Sequence, residues 1–178
     1  SVIDELPAGR QPIETFSVHS DKRERALTYI RAHLDRGEQG YIVCPLIDKS
    51  DAVSAAAATA YRDELAEGIF KGYTVGLLHG RMKPDEKEAV MADFAAGKVQ
   101  LLVATTVVEV GVDVPNATII LIENAERFGL SQLHQLGGRV GRGDKKSTCI
   151  LLSDNDGEDN KRRLKVMKET CDGFVSAK

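Results

Sequence analysis

The chain has 178 residues, enough for one domain with a normal core, and its 42% hydrophobic and 29% charged content is ordinary for a globular protein. It has no Trp and only 5% aromatic residues, which excludes a base-stacking platform, and its net charge of −3 gives no global nucleic-acid signature. No apolar run approaches the roughly 18 residues that span a bilayer and no signal peptide opens the sequence, so no membrane partner is expected.

Leu6-Pro7-Ala8-Gly9-Arg10-Gln11-Pro12 predicts a linker over 1–12, because its prolines and glycine interrupt regular structure. From residue 13 onward, apolar runs alternate with helical patterns. Strands are expected at Ile13–Val18, Tyr41–Pro45, Thr74–Leu78, Gln100–Ala104, Thr118–Ile122 and Thr148–Leu152. Helices are expected at Lys22–Arg36, Ala52–Glu67, Pro84–Ala95, Leu130–Leu136 and Glu158–Thr170. The alternation predicts an α/β fold, a mostly parallel sheet with helices on both faces. Pro84 suits a first helical turn, and Asp85, Glu86 and Glu88 suit the positive end of its dipole. Ser54-Ala55-Ala56-Ala57-Ala58 predicts a thin helix with little side chain to bury. Asp154 to Asp159 is acidic but lacks calcium-loop spacing, and Lys161-Arg162-Arg163 reads as a solvated helix face.

The three cysteines, Cys44, Cys149 and Cys171, are odd in number and scattered. That argues against a disulfide framework and suits a reducing cytoplasm, with Cys44 and Cys149 as buried apolar residues. The four histidines show no zinc spacing, and no metal site is expected.

Three segments carry chemistry. Leu78-His79-Gly80-Arg81-Met82 places polar groups just after an apolar strand. Leu101 to Pro115 runs from an apolar strand into Thr105-Thr106, then Glu109, then Gly111-Val112-Asp113-Val114-Pro115. Ligands of parallel sheets collect beyond the carboxyl ends of strands; hydroxyls there can hold a phosphate, and Asp113 can accept from ribose hydroxyls. Taken alone, Thr-Thr is more often a helix cap. Gln135-Leu136-Gly137-Gly138-Arg139-Val140-Gly141-Arg142-Gly143 carries two arginines at i and i+3, expected on one face of a helical turn and aimed at one target. Fixed positive charge in a glycine-rich setting is what an arginine finger needs; a surface turn that touches nothing is the alternative. Residues 127–146 hold Arg127, Arg139, Arg142, Lys145 and Lys146 against only Asp144, a local basic stripe. Thr105, Thr106, Gly80 and Arg81 are expected to share a sheet edge with the arginine pair.

Together these segments resemble the second motor domain of superfamily 2 helicases. Gln135-x-x-Gly138-Arg139-x-Gly141-Arg142 is similar to motif VI, Ala104-Thr105-Thr106 through Asp113-Val114-Pro115 to motif V, and Tyr41 to Ile47 to the segment around motif IV. Ile3 to Ile13 resembles the RecG family of branched-DNA helicases, while Phe128 to Leu136 and Asp172 to Ala177 resemble segments shared by RecG and the transcription-repair coupling factor. The resemblance implies a three-layer RecA-like domain over 13–171 and the truncated start of a translocation hairpin over 172–178. It implies catalytic roles for Arg139, Arg142 and Gln135, nucleotide binding by Gly111, Asp113 and Gly138, and DNA binding by Gly80, Arg81, Thr105, Thr106 and Glu109. It further implies ATP and Mg2+ in the full-length protein, branched DNA as partner, and a first motor domain and a wedge domain in the same full chain. The chain departs from the family at Gly137, where RecG-like proteins usually carry arginine.

The sequence contains no Gly-x-x-x-x-Gly-Lys-Ser/Thr phosphate loop and no magnesium-binding acidic box. It offers the finger without the phosphate cradle, so the chain alone is expected to be catalytically incomplete. A non-catalytic α/β phosphate- or nucleic-acid-binding module is the alternative; an unrelated doubly wound enzyme finds no nucleophile–base pair or dinucleotide fingerprint to support it.

Overall fold

The computed structural model describes residues 13–46, 51–105, 114–154 and 157–172; the expected linker over 1–12 and hairpin start lie outside them, apart from Asp172. In chain order the elements are β1 (Ile13–His19), α1 (Arg23–Asp35), β2 (Gln39–Cys44), α2 (Asp51–Glu67), β3 (Val75–Leu78), α3 (Pro84–Ala95), β4 (Leu101–Thr105), β5 (Ala117–Ile122), α4 (Leu130–Gly137), β6 (Ser147–Ser153) and α5 (Glu158–Asp172). The expected strands and helices are all present, with ends moved by a residue or two.

The six strands form one sheet in the order β1-β6-β5-β2-β4-β3, and every pairing is parallel. Strands β4, β5 and β6 are buried along their whole length, as continuous apolar runs must be when helices cover both faces. Successive side chains point to opposite faces. Tyr41, Val43, Leu102, Ala104, Ile120, Ile122, Cys149 and Leu151 therefore join the core beneath α3, α4 and α5. Ile42, Leu101, Val103, Ile119, Leu121, Ile150 and Leu152 join the core beneath α1 and α2.

Local chemistry explains the helix boundaries. Pro84 opens α3, and the Lys83 amide donates to Glu86 Oε1 at 2.8 Å, which satisfies one orphan donor of the first turn. α1 buries Ala26, Leu27, Ile30 and Leu34 along one stripe. The charged run of α5 is only partly a solvated face. Lys161 and Arg162 are exposed, but half-buried Arg163 donates to the carbonyl oxygens of Phe128 and Glu126 and clamps the β5–α4 connection.

Because all strands run the same way, the sheet has two chemically different edges. Cys44, Leu78, Thr105, Ile122 and Ser153 end strands at the carboxyl edge; Gln39, Leu101, Ala117 and Ser147 begin them at the amino edge.

Candidate functional site

The arginine segment follows α4. Leu133 and Leu136 anchor that helix in the core, and Gly137, also buried, is its last residue. The Gly138 amide donates to His134 O at 3.0 Å and the Arg139 amide to Leu136 O at 3.0 Å, so the final turn closes there. Val140 is fully buried and pins the chain to the core. Gly141 then takes φ +80°, a left-handed conformation that glycine adopts without a Cβ clash. The expectation of both arginines on one helical face is therefore corrected: the helix ends before Arg139, and a left-handed residue stands between the two. The pair belongs to an irregular loop, with Arg139 half-buried, Arg142 exposed and the Arg142 Nε donating to Gly138 O at 2.9 Å. Gln135 is exposed on the last turn of α4.

Three contacts place this loop on the amino edge. A Cβ on Gly143 would stand 2.8 Å from Pro115 O, so the chain passes Pro115 at a distance only glycine permits. Lys145 Nζ donates to Asn116 Oδ1 at 2.9 Å. Lys146 Nζ lies 3.4 Å from Glu14 Oε1 at the start of β1. Pro115 and Asn116 lie immediately before β5.

Gly80, Arg81 and Thr105 lie on the opposite, carboxyl edge, which overturns the expected sharing of one edge with the arginines. The physical reason is the return path of α4, which carries the chain back across the sheet before β6 begins. Thr105 ends β4 beside Cys44 and is only 6% exposed, so its side chain closes the strand end rather than standing in solvent. Gly80 and Arg81 are exposed in a tight turn after β3. In that turn the Arg81 amide donates to His79 Nδ1 at 3.1 Å and the Met82 amide to His79 O at 3.2 Å. Thr106, Glu109, Gly111 and Asp113 lie outside the described residues.

One polar cluster on the carboxyl edge escaped the sequence reading. Glu123, next after β5 and 5% exposed, receives Arg23 through Nε at 3.2 Å and Nη2 at 2.7 Å, and also accepts from the Tyr61 hydroxyl. The bond to Glu123 holds the Arg23 guanidinium protonated more firmly than usual. Burial, reinforced by the Glu123 charge, raises the Tyr61 hydroxyl. Burial likewise pushes the Cys44 thiol up to about 12, leaving it unreactive at neutral pH. Arg23, Cys44, Ser54, Tyr61, Glu123 and Arg127 line a cleft of about 430 Å³. It lies where β2 leads away to β3 on one side and β5 to β6 on the other, the strand divergence at which α/β sheets form crevices. The available sequence signal was one acid terminating an otherwise apolar strand; its partners are distant in the chain. Among the described residues no group of His, Cys, Asp and Glu could hold a metal ion, and no helix is long and apolar enough to cross a membrane.

The signature of the helicase conserved C-terminal domain matches residues 21–144. The chain is 53% identical over 98% of its length to the ATP-dependent DNA helicase RecG of Bacillus subtilis (strain 168), of which it covers 26%. To RecG of Escherichia coli (strain K12) it is 50% identical over 99% of its length, again covering 26% of the relative. A solved structure of RecG bound to a three-way DNA junction superimposes with a TM-score of 0.81 at 42% identity, over 97% of this chain and 22% of that one. The yeast DEAD-box splicing factor Prp28 shares the fold at a TM-score of 0.68 and 19% identity, over 94% of this chain and 35% of that one. The chain thus spans about a quarter of the length of the curated RecG relatives it matches.

Proposed function

The chain belongs to the helicase conserved C-terminal domain family, and we propose that it is the distal motor domain of a RecG-like ATP-dependent DNA helicase acting on branched DNA in recombination and repair. The observation that carries this reading is the division of labour between the two sheet edges. A glycine-hinged arginine loop stands on the amino edge, while exposed Gly80 and Arg81 stand beyond a strand on the carboxyl edge. One edge suits a nucleotide shared with a first motor domain; the other suits a DNA backbone. Similarity to RecG over almost the whole chain supports the same reading.

In this arrangement the first motor domain supplies the phosphate cradle and the carboxylate for Mg2+. ATP with Mg2+, when bound between the domains, supplies the phosphoryl group transferred to water. Arg139 and Arg142 present guanidinium charge to that group as its charge redistributes, and Gln135 and Gly138 frame the approach. The fork geometry of arginine fits phosphate oxygens, and its permanent charge needs no proton bookkeeping. Asp113 and Gly111 contribute on the nucleotide side, and Gly80, Arg81, Thr106 and Glu109 on the DNA side, with buried Thr105 ending the strand behind them. Wedge-domain contacts with the junction belong to another part of the full chain. The odd number and scatter of the three cysteines support a cytoplasmic setting.

The test is Arg142→Ala in the full-length protein. DNA-stimulated kcat is expected to fall roughly 10³-fold, the scale of an arginine finger, with a smaller change in ATP affinity because the finger acts mainly in the transition state. An unchanged kcat accompanied by lower stability would make the arginine structural and overturn the reading.

A further inference from the structure

A chain of amide contacts runs from the arginine loop into the core at the amino edge. Gln39, the first residue of β2, is 3% exposed, and its Nε2 donates to Phe94 O at 2.7 Å and to Val99 O at 2.8 Å. Asn116 Nδ2 donates to Gln39 Oε1 at 3.0 Å and to Gly37 O at 2.9 Å, and the Gln39 amide returns a bond to Asn116 O at 2.9 Å. Asn116 Oδ1 accepts from Lys145 Nζ at 2.9 Å.

These orientations determine one another. Carbonyl oxygens only accept, so Phe94 and Val99 require the NH2 end of Gln39. That leaves Gln39 Oε1 facing Asn116, which must answer with its own NH2 end; Gly37 O makes the same demand. Asn116 Oδ1 is thereby left facing the loop. A flip of Gln39 would set acceptor against acceptor in a buried place, where an unmet polar group is costly, and a flip of half-buried Asn116 would set its oxygen against Gln39 Oε1 and Gly37 O and its NH2 group against Lys145.

We propose that Asn116 and Gln39 are positioning residues for the Arg139–Arg142 loop, with Lys145 as the loop's point of attachment. The proposal rests on the arginine-finger reading above and deepens it. The loop is held at one side by Arg142 on Gly138 O, and at the other by Gly143 against Pro115 and Lys145 on Asn116. Arg139 and Arg142 thus lie in the short segment between the two fixed points Gly138 and Gly143. An exposed lysine bond adds little to folding stability, so its effect falls on where the arginines sit. Displacing a catalytic group by about 1 Å can cost on the order of 100-fold in rate.

The experiment uses the full-length protein and reads kcat and KM for DNA-stimulated ATP hydrolysis together with Tm. Lys145→Met is expected to lower kcat roughly tenfold while KM for ATP stays within about twofold and Tm is unchanged. Lys145→Arg, which keeps a donor, is expected to restore most of the rate. Lys145→Met combined with Asn116→Ala is expected to be no slower than Asn116→Ala alone, because the two act through one contact. A wild-type kcat for Lys145→Met, or a double variant as slow as the product of the singles, would overturn the proposal. Arg142→Ala in the same assay separates the two readings. If it cripples turnover while Lys145→Met does not, only the positioning relay fails. If both leave turnover intact, the finger reading itself fails.

Discussion

At the scale of single residues, buried His33, Thr118 and Glu38 satisfy one another. His33 is 3% exposed; its Nδ1 lies 2.8 Å from Thr118 Oγ1 and 3.1 Å from Glu38 Oε1, and Thr118 donates to Glu38 at 2.8 Å. A neutral ring with its proton on Nδ1 satisfies this triad. Burial, assisted by the Arg36 charge, lowers the His33 pKa despite the nearby carboxylate. Burial alone would raise Glu38, but the Thr118 hydroxyl and the Arg36 guanidinium outweigh it and leave the carboxyl below its ordinary value. Both shifts give the same sign. The unfolded chain binds more protons than the folded one once the pH falls below about 6.5 for the histidine and about 4.3 for the glutamate. Stability is therefore complete above that first value and declines on acidification, first through His33 and then through Glu38. Urea denaturation at pH 7 and pH 5.5 should show the loss, and His33→Gln should flatten the slope in that interval. An identical slope in the variant would place the responsible protons elsewhere.

At the scale of elements, close approach between β2 and β5 fixes the centre of the sheet. A Cβ on Gly40 would stand 2.7 Å from Ile119 Cγ2 and 3.1 Å from Ile119 O, and the pairing register shifts between Gln39 and Gly40. Ile119 is β-branched and buried, so it has little freedom to yield. Gly40→Ala is expected to destabilise the domain by about 1–3 kcal/mol, the usual scale of overpacking, read as a lower urea midpoint at an unchanged slope. A loss under about 0.5 kcal/mol, the ordinary scatter of surface substitutions, would mean the strands can part without penalty. The strands themselves were legible in the sequence because 101–104, 118–122 and 148–152 are unbroken apolar runs, the mark of parallel strands covered on both faces. The geometry of the arginine pair was not. An i, i+3 spacing describes a face only while the helix continues, and here α4 ends at Gly137 with left-handed Gly141 between the arginines. The edge on which the pair stands was in principle readable, since residues just before a strand of a parallel sheet must lie at its amino edge. Glu123, Arg23 and Tyr61 gave no such cue, because their meeting depends on the packing of α1 and α2 across β2 and β5.

At the scale of the whole molecule, the two edges set what this chain can do by itself. Positive charge on the arginine loop can stabilise a transferring phosphoryl group only if other groups hold the nucleotide in line and chelate its metal. Backbone amides, a lysine and a carboxylate do that in phosphoryl-transfer enzymes, and the sequence contains no phosphate loop and no magnesium-binding acidic box. The turn at Gly80 and Arg81, proposed above to face DNA, lies on the other edge, so in that reading movement of DNA against the nucleotide requires a second rigid body for this one to turn against. The purified chain, with far-ultraviolet circular dichroism establishing that it is folded, is therefore expected to release no phosphate from ATP and Mg2+ above background, with or without branched DNA. Turnover on the order of 1 per second, within the ordinary enzyme range, would mean that a complete catalytic site lies within these 178 residues. It would then have to use groups other than the arginine loop alone, with the buried acid Glu123 and the cleft above it the first place to look for them.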